Sequence, residues 1–380
     1  MQFSFANIAW PYLINQPEAI HTPRLLVFQD RVESNVRTMR RLLHSVNPQL
    51  DVHCLCPHVK THKSARITRF LLEHGVSFFK ASLNEIDMLV QCAVPQIFVA
   101  YPLLEKDAGK IAGLMKVNPN IAFRVQVART EHVDILQKLS REFGVKWHYY
   151  IDVNVGMNRT GLPVEDAFDF YLSIKEKPSL EFVGVHAYDG HIHHKNSEER
   201  QSASDKSMNR LKKTLNHFAQ HGVKVPQCIV AGTPGFLPDV EFWRHNKADT
   251  DIFYSPGTWI YFDSATNEMM PNTFDYAAVI LAQVIDKPTS DTATLNLGHK
   301  RWAVDQGPVD TLSIPGKVVS WSEEHTVLQQ DQQHQLKIGD YVLIAPRHVC
   351  STVNLWEHVV IIDKNGDIEE MTSPIEGRNR

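Results

Sequence analysis

The residues with the clearest chemical potential form the segment CLCPHVKTHK, which runs from Cys54 to Lys63. Strand periodicity would put alternate residues of this segment, among them His58, Lys60 and His62, on one face. A lysine that is desolvated at the end of a buried strand has a lowered pKa, which frees its amine for a Schiff base with a carbonyl compound. The same spacing is also compatible with a lysine that extends its side chain to solvent at a strand end.

A second candidate lies near the C-terminal end, where His348 and Cys350 are separated by one residue. On an extended segment these side chains would share a face and could hold one cation, and an imidazole with a thiolate favours zinc. Two ligands are few, and a bare His-x-Cys pattern is common by chance. The alternating histidines of His191–His194 could also suggest a metal site, but a polar loop near a pocket is the favoured interpretation.

Other segments contain residues suited to an anion or a ring. Arg159 follows a predicted strand within DVNVGMNRTG, and Tyr188 ends another. The turns AGTPG and SPGT contain Thr233, Gly257 and Thr258, and bare backbone N–H groups in such turns favour a phosphate. Each signal is weak by itself, because Gly-Thr-Pro is an everyday turn and a loop arginine is often simply solvated.

The elements that would position these residues are short apolar strands, which alternate with amphipathic helical patterns between about Leu50 and Gly257. Such alternation indicates βαβ units, and a count of eight predicts an α/β fold with a closed (β/α)8 TIM-like barrel. In barrel enzymes the chemistry lies at the carboxyl ends of the strands. The eight strands are expected at Leu50–Cys56, Ser77–Lys80, Gln96–Tyr101, Ile121–Val127, Trp147–Asn154, Leu180–Tyr188, Gln227–Thr233 and Asp251–Ser255.

After about Asp263 the strand-like runs are joined by short turns, which predicts an additional C-terminal antiparallel β domain. An early strand at Arg24–Gln29 is one too many for the barrel and is assigned to the β domain or its edge. We therefore expect an N-terminal segment over 1–30 that packs with the β domain, a (β/α)8 barrel over 31–262 and the β domain with the candidate metal pair over 263–380. The stretch Phe3–Pro17 is compatible with a subunit interface or with part of the β domain.

Composition excludes several classes of protein. The chain of 380 residues has 39 Lys and Arg against 43 Asp and Glu, a net charge of −4, so nucleic acid and anionic membranes are not expected partners. No apolar run reaches the roughly 18 residues needed to span a bilayer, and the N-terminus does not have the pattern of a secretory signal. Five cysteines, an odd number, argue against a disulfide framework and predict a cytoplasmic location.

The lysine segment resembles the cofactor-binding segment of the D-serine dehydratase and D-threonine aldolase family, which comprises alanine-racemase-like, fold-type III pyridoxal-phosphate enzymes. The resemblance extends from about Thr22 to about Asp363. It implies that Lys60 carries pyridoxal 5'-phosphate and removes the α-proton of the bound amino acid. It also implies cofactor contacts for a strand-end arginine and tyrosine and a phosphate cradle in the two glycine turns. The residues concerned are Arg159, Tyr188, Thr233, Gly257 and Thr258.

The residue types of the metal motif indicate which of the family's reactions we expect for this chain. The dehydratases are similar to this chain in carrying His-x-Cys, whereas the aldolases tend to show His-x-Asp. A divalent metal on His348 and Cys350, most plausibly zinc, would make the 3-hydroxyl of a D-3-hydroxy amino acid a better leaving group. D-Serine would then give pyruvate and ammonia.

Three alternatives stay open at this stage. A D-threonine aldolase would cleave its substrate to glycine and an aldehyde, a racemase would need a second base and no metal, and a pyridoxal-phosphate carrier would turn over nothing. The family also implies a homodimer. The sequence does not give the substrate side chain, the metal bound, the partner of the pyridine nitrogen or a second catalytic base.

Overall fold

The structure, a computed structural model, describes residues 1–6, 8, 10–246, 248–330 and 335–378. Its described residues form two compact units. The first unit consists of residues 1–39, 61–64 and 258–378, and the second of residues 40–60 and 65–257. Each unit contains its own β-sheet, and the two are described separately below.

The second unit is built on seven parallel strands whose spatial order follows the chain. The segment that precedes them joins both edges of this sheet, because Leu55 is bridged to Tyr254 and His58 to Lys80, both in parallel. The sheet therefore closes on itself, and the predicted TIM-like barrel fold is confirmed. The seven strands are Phe78–Ala81, Gln96–Val99, Ala122–Val127, Trp147–Asn154, Leu180–Ala187, Gln227–Val230 and Asp251–Tyr254.

Helices connect these strands, as parallel pairing requires. Thr130–Phe143 illustrates why such segments are helical: its buried residues Val133, Leu136 and Leu139 recur at helical spacing, and it ends at Gly144 in the left-handed conformation that favours glycine. The helices of this unit are Ala65–Glu73, Ile86–Gln91, Glu105–Val117, Thr130–Phe143, Ala167–Ile174, Ser197–Gln220 and Phe236–His245, and Gln29–Val46 precedes them and spans both units.

Apolar side chains fill the barrel interior. Cys56, Phe78, Phe98, Tyr150 and Ile229 form one buried cluster, contributed by five segments around the barrel. The rings of Phe98 and Tyr150 meet edge to face with centroids 5.0 Å apart, an arrangement that stabilises aromatic pairs. The barrel is therefore a packed core, and polar side chains placed inside it need partners of their own.

The first unit is a mostly antiparallel sheet. Its early strand, Arg24–Phe28, pairs antiparallel with Ala278–Asp286 and parallel with His358–Ile362, so it lies inside this sheet. The strand order is Lys317–Trp321, Thr326–Gln329, Thr292–Leu295, Ala278–Asp286, Arg24–Phe28, His358–Ile362 and Ile368–Pro374, and Tyr341–Ala345 pairs with both Ala278–Asp286 and Thr311–Leu312.

The described part of the N-terminal segment packs within this first unit. Strands Gln2–Phe3 and Tyr12–Leu13 pair antiparallel, and the Tyr12 hydroxyl donates a hydrogen bond of 3.0 Å to the carbonyl oxygen of Tyr276. Short helices Ser264–Met269 and Val349–Val353 complete the unit. Asn7, Ala9, Asn379 and Arg380, which fall in the segments expected at 1–30 and 263–380, lie outside the described residues.

Several elements differ from the sequence-based expectation. The predicted strand Leu50–Cys56 is wrong as a continuous strand, because Val52–Cys54 form a single turn of 3-10 helix after Asp51. The helix Phe236–His245 was not predicted, although its proline at 238 lies in the first turn, where no backbone N–H is needed. Strand Ile368–Pro374 was missed because its largely exposed residues show little apolar alternation.

None of the five cysteines forms a disulfide, and all five are buried. Burial raises the pKa of the Cys54 and Cys56 thiols to about 12 and raises that of Cys228 further, so these side chains stay protonated and unreactive near neutral pH. Among the described residues, no helix combines the length and the apolar character that a membrane span requires.

Candidate active site

Lys60 lies in the turn that follows the barrel-closing segment. His58 is the last residue of that segment bridged to the sheet, and its Nδ1 accepts a hydrogen bond of 3.3 Å from the backbone N–H of Lys60. Residues 59–62 form a turn, so the expected alternation of side chains from Cys54 through His62 is wrong. Lys60 nevertheless directly follows the carboxyl end of the closing segment, where barrel enzymes place reactive groups.

Arg159 and Tyr188 come together at the carboxyl ends of two barrel strands. Arg159 lies in the loop after Trp147–Asn154, and Tyr188 directly follows Leu180–Ala187. The guanidinium carbon of Arg159 lies 5.0 Å from the centroid of the Tyr188 ring, a cation–π geometry. Arg159 also lines a cavity of about 410 Å³ on this side of the barrel, which leaves room for a ligand near the pair.

A buried polar network in the barrel was missed by the sequence analysis. Lys80, on strand Phe78–Ala81, has its Nζ 2.9 Å from Nε2 of His186 and 3.1 Å from Oγ of Ser255. His186 in turn has Nδ1 2.7 Å from Oδ1 of Asp152. A signal was available, because a lysine inside the otherwise apolar run FFKA is unusual and indicates a paired or functional group.

The predicted phosphate turns lie beside a helix start. The backbone N–H of Gly257 donates a hydrogen bond of 3.1 Å to the hydroxyl of Thr233, and the helix Phe236–His245 begins immediately after Gly235. A Cβ atom at Gly235 would lie 2.2 Å from Oδ2 of Asp189, so a larger residue does not fit this turn. A glycine turn that leads into a ten-residue helix presents backbone N–H groups and a positive dipole end, which suits a phosphate.

A pair of buried carboxyl groups, Asp189 and Asp239, supports this turn. The backbone N–H of Gly232 donates to Oδ1 of Asp189, and the hydroxyl of Ser204 donates to Oδ1 of Asp239. Burial raises the pKa of both carboxyl groups, and the charge of Asp189 raises that of Asp239 further. The pair therefore holds a proton at pH values where an exposed aspartate is ionised.

Asp239→Asn is expected to flatten the pH dependence of stability above about pH 4. In the wild type the folded pair holds a proton that the unfolded chain has already released, so the free energy of unfolding falls as pH rises, by up to ~1.4 kcal/mol per pH unit for one proton. Asparagine cannot ionise and removes most of this slope. Urea unfolding between pH 5 and pH 8 measures it, with the exposed Asp249→Asn as control. An unchanged slope in Asp239→Asn would contradict the shared proton.

The candidate metal residues lie in the first unit, and their local structure differs from the prediction. His348 is extended but is followed at once by the helix Val349–Val353, so the premise that His348 and Cys350 share the face of an extended segment is wrong. The chain turns there because Oδ2 of Asp263 accepts a hydrogen bond of 2.9 Å from the backbone N–H of Val349 and so stabilises the helix start. The two side chains still interact electrostatically, because Cys350 acts to raise the pKa of His348.

The surroundings of this pair suit a cation. Nδ1 of His348 lies 2.6 Å from Oδ2 of Asp305, which leaves Nε2 for a metal, and Sγ of Cys350 lies 3.1 Å from the Thr61 hydroxyl. Burial lowers the pKa of His348, but the hydrogen bond and charge of Cys350 together with the charge of Asp263 and the bond to Asp305 outweigh it and raise the pKa to about 9. Within the described part of the chain, no group of three or more His, Cys, Asp or Glu side chains is arranged around a metal position. The pair therefore offers a metal two protein ligands, His348 and Cys350, and the Asp305 carboxylate orients the imidazole through its other nitrogen.

Thr258 belongs to the first unit, unlike the neighbouring Gly257. Its hydroxyl oxygen lies 3.8 Å from Sγ of Cys350. The structure thus groups Lys60, Arg159, Tyr188, Thr233 and Gly257 in the barrel unit, and Thr258 with the metal pair in the other.

The histidine segment His191–His194 has partners typical of a polar loop. Nε2 of His191 lies 3.3 Å from the hydroxyl of Ser207, and the rings of His193 and His194 stack with centroids 6.2 Å apart. These contacts agree with the favoured interpretation of the segment as a polar loop.

Comparison with known proteins agrees with this architecture. A family model described as "Alanine racemase, N-terminal domain" matches residues 27–265, and one described as "Putative serine dehydratase domain" matches residues 277–362. The chain is 22% identical to a 3-hydroxy-D-aspartate aldolase of Paracoccus denitrificans over 95% of this chain and 93% of the relative. It is 26% identical to a D-serine dehydratase of Saccharomyces cerevisiae over 93% and 96%. The crystal structure of a D-threonine aldolase from Filomicrobium marinum superposes with a TM-score of 0.84 at 21% identity, covering 94% of this chain and 96% of that one.

Proposed function

This chain belongs to the family described as "Alanine racemase, N-terminal domain", and we propose that it is a pyridoxal-phosphate-dependent lyase acting on D-3-hydroxy amino acids. The match to the "Putative serine dehydratase domain", which lies C-terminal to the first match, supports this proposal. The relatives named as aldolases and dehydratases act on amino acids of this kind, as their names state. We propose D-serine dehydratase, which converts D-serine to pyruvate and ammonia, as the most specific assignment.

The barrel residues fit pyridoxal phosphate. Lys60 would hold the cofactor covalently and, once released by the substrate, would take the α-proton. Arg159 and Tyr188 form a cation–π pair against which a flat ring can pack. The turn with Thr233 and the helix start behind it offer N–H groups to a phosphate, and Gly235 lets this turn pass close to Asp189, where a Cβ would not fit. When bound, the cofactor supplies the electron sink that makes the α-proton acidic.

The donor set of His348 and Cys350 fits a divalent metal such as zinc. A cation would take the place of the thiol proton of Cys350, and Asp305 would fix the imidazole orientation. Waters or substrate would complete the coordination, as in catalytic sites generally. As a Lewis acid, the metal would make a hydroxyl a better leaving group.

The observation that carries the assignment to dehydration is the match of the serine dehydratase domain model to the segment with His348 and Cys350. Loss of the α-proton to Lys60 and of the 3-hydroxyl as water leaves a product that hydrolyses to a 2-oxo acid and ammonia. A second candidate, D-threonine aldolase, is favoured by the aldolase names of the Paracoccus relative and the superposed structure. There the Cα–Cβ bond breaks and glycine and an aldehyde are released.

A product assay tests the proposal. The purified protein, supplied with pyridoxal phosphate and zinc, is given D-serine and D-threonine, with the L-amino acids as controls. A 2-oxo acid and ammonia from D-serine, lost after chelation, would support the metal-assisted dehydratase. Glycine and an aldehyde would move the assignment to the aldolase. No product from any of these substrates by the cofactor-loaded protein would overturn the lyase proposal.

The assembly and location of the protein are part of the same proposal. We expect a homodimer, as in relatives of this fold, and light scattering would report about twice the chain mass of 43.4 kDa. Five buried cysteines, none of them in a disulfide, support a reducing, cytoplasmic environment. A monomeric mass would contradict the dimer without affecting the assignment of the reaction.

A further inference from the structure

The barrel buries a lysine, Lys80, whereas Lys60 is only half-buried. Lys80 is 3% exposed, and its backbone forms a parallel β-bridge with that of His58, which lies two positions before Lys60 in the chain. Its Nζ lies 4.8 Å from the centroid of the Tyr188 ring, and the Arg159 guanidinium lies against the same ring at 5.0 Å. The proposed mechanism assigns Lys80 no task, yet its amine lies among the residues proposed to bind the cofactor.

The hydrogen bonds of Lys80 have a definite direction. Both oxygens of the Asp152 carboxylate accept, one from Nδ1 of His186 and the other from the side-chain amide of Gln126. His186 therefore carries its proton on Nδ1, and its Nε2 accepts from Lys80. The hydroxyl of Ser255 is the second acceptor, since it donates its own proton to a backbone carbonyl. These two bonds use both hydrogens of a neutral amine and leave its lone pair to take a proton.

The electrostatic surroundings favour the neutral amine. Burial lowers the pKa of Lys80 to about 7, and the charges of Lys60 and Arg159 also lower it, against the opposing charge of Asp152. Burial also lowers the pKa of His186 to about 4, so the imidazole is neutral at physiological pH. The charged and titratable groups near the amine include Tyr188, whose ring it lies against, and Cys56, Lys60, Asp152, Arg159, His186 and Asp189.

We propose that Lys80 is a positioning residue whose proton, held in the chain Asp152–His186–Lys80, sets the charge beside Tyr188 and thereby the electronic state of the cofactor bound at Lys60. The inference rests on the proposed function, because it assumes that pyridoxal phosphate occupies the barrel. As pH rises through neutrality, Lys80 gives its proton to solvent and the ring of Tyr188 loses a cation from its face. The cofactor absorbance and the pH profile of the reaction respond to that loss.

The first measurement follows the Lys80 proton directly. Holoenzyme labelled with carbon-13 at the Cε of lysine is titrated by NMR, and the Lys80 signal is assigned by its absence in Lys80→Met. We expect a midpoint near pH 7, against about 10.4 for exposed lysines. Asp152→Asn removes a charge that raises this pKa, so the midpoint should fall by about one pH unit or more. A Lys80 midpoint near that of the exposed lysines would overturn the proposal.

The second measurement follows the cofactor. The absorbance of the bound cofactor should change with a midpoint near neutral pH in the wild type, and Lys80→Met should remove that step. Lys80→Arg, which stays charged at every pH, should hold the low-pH spectrum and the low-pH value of kcat throughout. Lys110→Met, which replaces an exposed lysine paired with Asp87, is the matched control and should behave as the wild type.

Each outcome decides for or against the inference. A neutral-pH absorbance step that survives in Lys80→Met would overturn it. If Lys80→Met does not fold, the shifted midpoint of Asp152→Asn and the fixed spectrum of Lys80→Arg test the same idea. If D-serine and D-threonine give no product while the titration and the absorbance step follow Lys80 as expected, the proposed function fails and the role of Lys80 stands.

Discussion

Lys60→Ala is expected to abolish the absorbance band of covalently bound pyridoxal phosphate and to lower turnover of D-serine at least ~10²–10⁴-fold, the range for loss of one acid–base group. The variant loses two functions together, the covalent attachment of the cofactor and the group that takes the α-proton. Absorbance spectra of the purified variant and a coupled assay for 2-oxo acid measure the two effects.

Two comparisons make this result specific. Lys110→Ala, at an exposed position, should keep both the band and the activity. Reduction with borohydride followed by peptide mapping should place the cofactor of the wild type on Lys60. If Lys60→Ala keeps the covalent band and mapping finds the cofactor on Lys80, the two lysines have been assigned the wrong way round.

Removal of the metal is expected to have the second largest effect. Chelation should lower turnover of D-serine by about 100-fold, since a Lewis acid contributes several kcal/mol of charge stabilisation and each 1.36 kcal/mol is a factor of ten. The cofactor band should remain, because none of the residues proposed to hold the ring is a metal ligand. Zinc should restore activity to the wild type, and metal analysis should find it bound.

His348→Ala should lower turnover of D-serine to the level seen after chelation, and added zinc should not restore that turnover. The control is His245→Ala, at an exposed histidine that pairs with Glu241 on the same helix turn. Full activity of the wild type after chelation would refute a metal role in the reaction. Normal metal content in His348→Ala would place the metal elsewhere, whatever the activity.

The sequence by itself determined the fold class and the candidate cofactor lysine. Apolar strands and amphipathic helices alternate because parallel strands buried on both faces need helical crossovers, and that periodicity is visible without tertiary information. In Thr130–Phe143, for example, the helical spacing of Val133, Leu136 and Leu139 can be read from the sequence alone. The segment around Lys60 was recognisable for the same reason, since its residues are adjacent in the chain.

Only the tertiary structure decided which distant side chains meet. Lys80 and His186 are 106 residues apart, and Asp152 lies 34 residues before His186, so their contact depends on strand register and on closure of the barrel. The turn after His348 depends on Asp263, which lies 86 residues before Val349 and stabilises the start of the short helix there, where an extended segment was expected. Periodicity reports which face of an element is buried, but a side chain's partner is set by packing between elements, which no local pattern contains.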